Sequence, residues 1–255
     1  MLSAKIGDYF AICVATTVVA TLAGWIVSML RHSPFTLAQS ALYALNYAIV
    51  RILWRAQIRG SFLIPPDRGA VIVCNHRCPL DPSLITLMAP RVIHWMVAKE
   101  YCEHPAFRWL LRTCEVIPVR RGGVDMAAVR AAIRLVQSGE LVGIFPEGRI
   151  NTTQQTLLPG RLGAAMIALK ARAPIVPCHI HGTPYDGTTL GCLFMPASVR
   201  VEIGLPIDLS AYFDYDDRRE TLDELTRRLL GEIAKLGGQP DFEPQLTGHV
   251  YKPDN

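Results

Sequence analysis

The chain has little charge for its size: only 19% of its 255 residues are Asp, Glu, Lys or Arg, while 50% are apolar. That balance is more apolar than an ordinary soluble domain and points to a membrane contact. No long Lys/Arg tract or recognisable nucleic-acid module is present, and the formal charge of +4 is modest, so a nucleic-acid partner is not expected. There is no Cys-x-x-Cys pair. The seven cysteines, Cys13, Cys74, Cys78, Cys102, Cys114, Cys178 and Cys192, are odd in number and scattered, unlike the dense framework of a small secreted protein. A reducing compartment is expected for the main domain. Internal repeats and low-complexity tracts are also missing, and the length suits one well-buried core.

One stretch lacks charge altogether. From Phe10 to Leu30 the chain reads FAICVATTVVATLAGWIVSML, which as a helix extends about 31 Å, enough to cross a bilayer. Its length and the second apolar segment behind it argue against a cleaved signal peptide. That second segment, Phe35 to Trp54, has Leu42, Leu45, Ile49 and Ile52 at near-helical spacing, with Arg51, Arg55 and Arg59 after them. Two uses are open: an interfacial helix with Trp54 and the arginines among headgroups, or packing on the core. Arg31, Arg51, Arg55 and Arg59 follow the first segment, whereas Lys5, offset by Asp8, precedes it. The positive-inside tendency therefore puts the main domain on the cytoplasmic face of the cell (inner) membrane, or of an endoplasmic-reticulum-type membrane in a eukaryote. A hairpin dipping into one leaflet gives the same orientation. The expected organisation is membrane-anchoring helices at 1–59, a globular domain at 60–236 and a polar tail rich in breakers at 237–255.

After Gly60 the pattern becomes short β-rich runs separated by helical ones. Strands are predicted at 70–74, 91–98, 116–119, 141–145, 174–180 and 199–204, and helices at 82–89, 105–113, 124–138, 160–172 and 216–236. Val129, Ile133 and Val136 share one side of the third helix, which stops at Gly139. Leu222, Leu225, Leu229 and Ile233 face inward on the last. Alternating strands and helices predict an α/β fold with a largely parallel or mixed sheet flanked by helices, and such sheets bind ligands outside the carboxyl ends of their strands.

At one such end stands Cys74-Asn75-His76-Arg77-Cys78-Pro79-Leu80-Asp81, which admits three readings. Cys74, His76 and Cys78 alternate along an extended chain and could face one metal, but a tetrahedral site needs a fourth ligand that no regular knuckle supplies. A cysteine activated by His76 could act as a nucleophile, but no cysteine-enzyme signature surrounds it. In the third reading Asp81 orients His76, fixing its tautomer and leaving the other ring nitrogen to accept a hydroxyl proton. Pro79 and Pro82 favour a turn that brings the two together. The thiols are then packing residues. His-x4-Asp is weak by itself, because His181-Gly-Thr-Pro-Tyr-Asp186 repeats it. The first copy is set apart by context: it follows a buried strand, has Asn75 before it, and three further motifs come after it in order.

Further motifs follow in order. Asn75-His76-x4-Asp81, then Ile117-Pro118-Val119-Arg120-Arg121, then Phe145-Pro146-Glu147-Gly148-Arg149-Ile150-Asn151, then Ile175-Val176-Pro177, together resemble the glycerolipid acyltransferase family that includes the 1-acyl-sn-glycerol-3-phosphate acyltransferases. Arg120 stands where many members have Asp, and Arg149-Ile150-Asn151 where many have Thr-Arg-Ser. The resemblance, covering about 60 to 209, implies His76 and Asp81 as the catalytic pair. It implies Asn75, Arg121, Glu147, Gly148 and Arg149 as substrate-binding positions, with no metal and no cofactor. It further implies acyl-CoA or acyl carrier protein as donor and, as acceptor, a lysophospholipid in the membrane, 1-acylglycerol 3-phosphate, whose acylation gives phosphatidic acid. Arg121 and Arg149 have the bidentate chemistry for a phosphate. Glu147 has three candidate roles: holding an arginine, binding an acceptor hydroxyl or shaping its loop. Other lysophospholipids, a lyso-aminolipid or glycerol 3-phosphate are alternative acceptors. A thioester hydrolase and a noncatalytic lipid-binding scaffold are alternative functions.

Overall fold

The run Ala70–Cys74, apolar at every position, is buried along its whole length and forms β2, the central strand of a seven-stranded sheet. The computed structural model describes residues 16–17, 21, 35–215 and 218–247. The apolar segment from Phe10 to Leu30 lies outside them except at positions 16, 17 and 21. Among the described residues no helix is long and apolar enough to cross a membrane. The chain divides into Met1–Leu42 and Tyr43–Asn255.

In the first unit Thr36 and Gln39 start helix α1 (Leu37–Ala48) reciprocally: Gln39 N donates to Thr36 Oγ1 at 3.2 Å and Thr36 N to Gln39 Oε1 at 2.9 Å. This capping box satisfies two amides that a helix start otherwise leaves open.

The second unit begins on the same helix. Tyr43 donates to the Leu87 carbonyl and Asn46 to that of Ser83, while Leu45 and Ile52, expected on one apolar side, are exposed. A π-helical turn (Ile49–Leu53) then delivers Trp54 into the core. Trp54 is fully buried, its indole donating to the Cys192 carbonyl at 3.2 Å. A headgroup position for Trp54 is thereby excluded. The arginines are engaged by protein: Arg51 donates to Ala56 O, Arg55 to Ala197 O, and Arg59 pairs with Glu202 at 3.6 Å.

Arg59 belongs to β1 (Gln57–Arg59), a strand missed by the sequence reading because it is only three residues long and half exposed. The sheet therefore starts upstream of the expected boundary at Gly60. The other strands are β3 (Ile93–Ala98), β4 (Ile117–Val119), β5 (Leu141–Ile144), β6 (Ile175–His181) and β7 (Arg200–Ile203), in the order β1-β7-β6-β2-β5-β3-β4. Only β6 and β7 run antiparallel, so the sheet is mixed and mostly parallel.

Successive side chains of β2 go to opposite faces. Val71 and Val73 join the core under α5 (Met126–Gln137), α6 (Gly163–Ala171) and α7 (Arg219–Leu236). Ala70, Ile72 and Cys74 join the other core, with Trp54, Trp95 and helix α2 (Asp81–Thr86). Leu222, Leu225, Leu229 and Ile233 of α7 are buried as expected. Each such leucine contributes about 1.5–3 kcal/mol as an upper estimate. Lys99 and Glu100 open a short helix α3 (Lys99–Glu103), and α4 (Pro105–Thr113) follows.

The expected polar tail is a strap as far as it is described. Phe242 and Leu246 pack on the core, Gly160 N donates to Gln245 O at 2.8 Å, and Thr247 N donates back to Gly160 O at 2.9 Å. Two apolar side chains in a polar stretch carry no periodic signal, which is why composition alone read it as free.

Candidate active site

Four parallel neighbours, β2, β5, β3 and β4, bring their carboxyl ends to one edge, where a parallel sheet offers its binding crevice. The loop after β2 carries Asn75 to Asp81, that after β5 carries Phe145 to Asn151, and the turn after β4 carries Arg120 and Arg121.

Asp81 opens α2 and turns its carboxylate back over the preceding loop. Its Oδ2 accepts from Arg77 N at 2.5 Å, Cys78 N at 2.8 Å and His76 Nδ1 at 3.0 Å. An oxygen that already takes two amide hydrogens faces Nδ1, so Nδ1 carries the ring proton. Nε2 then keeps its lone pair and has no hydrogen-bond partner among the described residues. Asp81 is fully buried and 16% of the His76 side chain is exposed.

The loop after β5 grips the backbone of His76 from both sides. Glu147 Oε1 accepts from His76 N at 2.8 Å, and His76 O accepts from Asn151 N at 2.7 Å. The second Glu147 oxygen accepts from Leu158 N at 2.8 Å. Glu147 is 3% exposed. Burial raises its pKa above the usual carboxylate value, against the pull of the Leu158 and His76 amides. Of its three expected roles, the geometry fits the shaping of the loop: both oxygens serve backbone amides.

Asn75 is likewise a brace rather than an exposed ligand. Its side chain accepts from Ile180 N at 2.7 Å and donates to Ile180 O at 2.8 Å, extending the pairing of β2 with β6 past Cys74. Gly148 has φ +69°, a conformation that favours glycine at this turn, and the Arg161 side chain packs over it. Arg149 is exposed on that turn. Arg121 is exposed, its guanidinium carbon 5.7 Å from the centre of the Tyr101 ring. The turn before it is held by Asp125, which accepts from Arg120 N at 3.0 Å and caps α5 through Ala127 N and Ala128 N. These amides depress the Asp125 pKa.

Sequence reasoning assigned no role to Arg77, yet its guanidinium reaches the carbonyls of Asn151, Thr153, Gln155 and Thr156 and staples the two loops together. Nothing periodic marks such a residue; its only signal was its place beside the histidine. Nor did the reading give roles to the rings. His76 stacks on Phe145 with centroids 3.9 Å apart and planes 11° apart, and Phe145 stacks on Trp95 at 4.8 Å and 16°.

The thiols behave as packing groups. Cys74, Cys78 and Cys178 are buried, and burial pushes each thiol pKa well up, away from the thiolate that a nucleophile or metal ligand requires. The second His-x4-Asp does not assemble in the same way. Asp186 Oδ1 accepts from Thr188 N and Oγ1, both at 2.9 Å, while His181 ends β6 exposed.

The family model described as Acyltransferase matches residues 55–195, the span that holds the whole constellation. The chain belongs to the acyltransferase family. Within it, the 1-acyl-sn-glycerol-3-phosphate acyltransferase of Bacillus subtilis is 32% identical over 181 residues, covering 70% of this chain and 86% of that protein. The human 1-acyl-sn-glycerol-3-phosphate acyltransferase alpha is 26% identical over 208 residues, covering 77% of this chain and 61% of its own length. This acyltransferase also shares its fold with the crystal structure of the 1-acyl-sn-glycerophosphate (LPA) acyltransferase PlsC from Thermotoga maritima. The TM-score is 0.59 at 24% identity, with 76% of this chain and 79% of that one covered.

Proposed function

We propose that this acyltransferase is membrane-bound and moves a fatty acyl group from a thioester, acyl-CoA or acyl carrier protein, to the free hydroxyl of 1-acylglycerol 3-phosphate, giving phosphatidic acid. The observation that carries the reading is the His76 imidazole held by Asp81 at 3.0 Å with Nε2 uncommitted. Its position at the carboxyl edge of the sheet, and relatives named for this substrate, support it.

In the mechanism Nε2 accepts the acceptor hydroxyl proton as its oxygen attacks the thioester carbonyl carbon. Asp81 keeps the ring in the required tautomer and stabilises the imidazolium. The tetrahedral intermediate expels the thiolate, which takes the proton back from Nε2. The new ester and a free thiol are the products. No covalent enzyme intermediate and no cofactor enters. Arg121 and Arg149 are assigned to the acceptor phosphate, as exposed guanidinium groups with bidentate geometry. Asn75, Glu147 and Gly148 act indirectly, by shaping the loops around His76. Chemistry at the cytoplasmic face of a membrane lets acceptor and product stay in the bilayer.

The test is a labelled-acyl transfer assay on the purified full chain in vesicles, with both donors and a panel of lysolipids and glycerol 3-phosphate. Label should enter phosphatidic acid, and thiol release should depend on added lysophosphatidate. Thiol release independent of acceptor would make the protein a hydrolase, and transfer chiefly to another lysolipid would reassign the acceptor. Arg121→Ala should raise the KM for the phosphorylated acceptor about tenfold or more, with an unchanged KM removing the phosphate role.

A further inference from the structure

Phe145 stacks on the face of the His76 ring, and Trp95 stacks on Phe145 in turn. β3 and β5 are in register so that Trp95 is directly opposite Gly143. A Cβ at Gly143 would lie 2.4 Å from the Trp95 ring, deep inside contact distance. The absent side chain lets the indole lie flat across β5. Phe145 is two residues further on and so on the same face, where its ring meets the indole at 4.8 Å and the imidazole at 3.9 Å.

The column is also tied at its far end. Trp95 Nε1 donates to Thr86 Oγ1 at 3.2 Å, and Thr86 Oγ1 donates to Pro82 O at 2.8 Å. Thr86 closes α2, the helix that Asp81 opens. The chain of contacts is therefore a ring: His76 to Phe145 to Trp95 to Thr86, along α2 to Asp81, and back to His76 Nδ1. The hydrogen bond that Nδ1 donates to Asp81 holds one edge of the imidazole, and rocking about Cβ–Cγ remains the motion it restrains least. A stacked face restrains that rocking.

We propose that Trp95 and Phe145 are positioning residues for the transfer reaction. They fix the plane of the His76 imidazole while Asp81 fixes its edge, so that Nε2 is aimed at the acceptor hydroxyl, and Gly143 is the position that admits the column. This rests on His76 acting as the base. It goes beyond that reading by assigning function to three apolar positions outside the polar motif residues.

The experiment compares Trp95→Leu, Trp95→Phe and Gly143→Ala with the full-length parent in vesicles, keeping variants whose thermal unfolding remains cooperative. Because a bulky core change can prevent folding, Phe145→Leu and Phe145→Tyr form a second pair. In Trp95→Leu, Gly143→Ala and Phe145→Leu kcat should fall roughly 10- to 100-fold, the scale of a small misplacement of a reacting group, with both KM values within about twofold. The flat-ring variants Trp95→Phe and Phe145→Tyr should stay within about threefold of the parent. Histidine-labelled protein, with His76 assigned by its loss in His76→Gln, gives a readout independent of activity. The His76 ring protons should lose their ring-current displacement in Phe145→Leu and keep it in Phe145→Tyr. Unchanged kcat in folded Trp95→Leu and Phe145→Leu, an effect confined to KM, or His76 signals indifferent to Phe145→Leu would each overturn the proposal. If instead His76→Gln still transfers acyl groups, the general-base reading fails, and the spectra still report whether the column holds the ring.

Discussion

The chain carries His-x4-Asp twice at one edge of one sheet, and the two copies fold differently. In the first, Asp81 looks back along the chain, gathering two loop amides and the imidazole. In the second, Asp186 looks forward to Thr188 in an Asx-type turn, and His181 gets nothing from it. The neighbours differ in the same sense. Arg77, after the first histidine, staples the next loop; Gly182, after the second, has φ +84° and no side chain to do so. The copies are even coupled, since Asn75 of the first pairs with the backbone of Ile180 beside the second. Spacing permits a dyad, then, but the direction of the carboxylate makes one.

The sharpest way to break the comparison is His76→Ala, expected to cut kcat roughly 10³-fold or more, against less than about twofold for His181→Ala. Comparable losses in two well-folded variants would mean that the wrong copy has been chosen. Asp81→Asn keeps an oxygen for the loop amides but does not secure the imidazole tautomer, so a loss of roughly 10²- to 10³-fold in kcat is expected, with Asp186→Asn near the parent. Equal kinetics for these two would refute the orienting role.

His179, two residues before His181, differs from both histidines in its depressed pKa: burial, with His181 and Arg77 nearby, holds it down at about 4. The folded state binds it neutral, so the unfolded chain takes up the proton first as pH falls. Stability from this site is complete above about 6.5, drains away between about 6.5 and 4, and amounts to about 3 kcal/mol at most. Denaturant unfolding from pH 7.5 to 4.5 measures it. His179→Gln should flatten the slope, and an unchanged slope would remove the assignment. Smaller still, Arg77→Ala should lower stability by about 2 kcal/mol through the carbonyls it leaves unmatched, and Arg77→Lys should recover little of it. Unaltered unfolding in both would show that the staple contributes nothing.

Much of the fold was legible. The run AVIVC, short, β-branched and apolar at every position, is a strand as read, and the spacing of Leu222, Leu225, Leu229 and Ile233 buries one side of α7. The misses share a cause. β1 is too short to have a period, and residues 239–247 hold by two apolar contacts and backbone bonds to Gly160. For Trp54 the sequence left an interfacial and a core position both open, and the choice is made by its burial and the Cys192 carbonyl, distant in sequence. In the site, the dyad residues could be named because their spacing and flanking strand are local. Asn75 and Glu147 bond the backbone of other segments, which spacing along the chain does not reveal; for Glu147 this matches the loop-shaping role among the three expected.

By itself the sequence determined which side chains stand in the motif blocks, the order of those blocks and the alternation that produces a mostly parallel sheet, all properties of composition or of local period. Only the tertiary structure decided which histidine meets its aspartate, that Glu147 and Arg77 bind loops together, and that Trp95 crosses Gly143 to back Phe145, which in turn backs His76. Those outcomes depend on strand register and on directions of side chains far apart in sequence, which no spacing along one chain encodes.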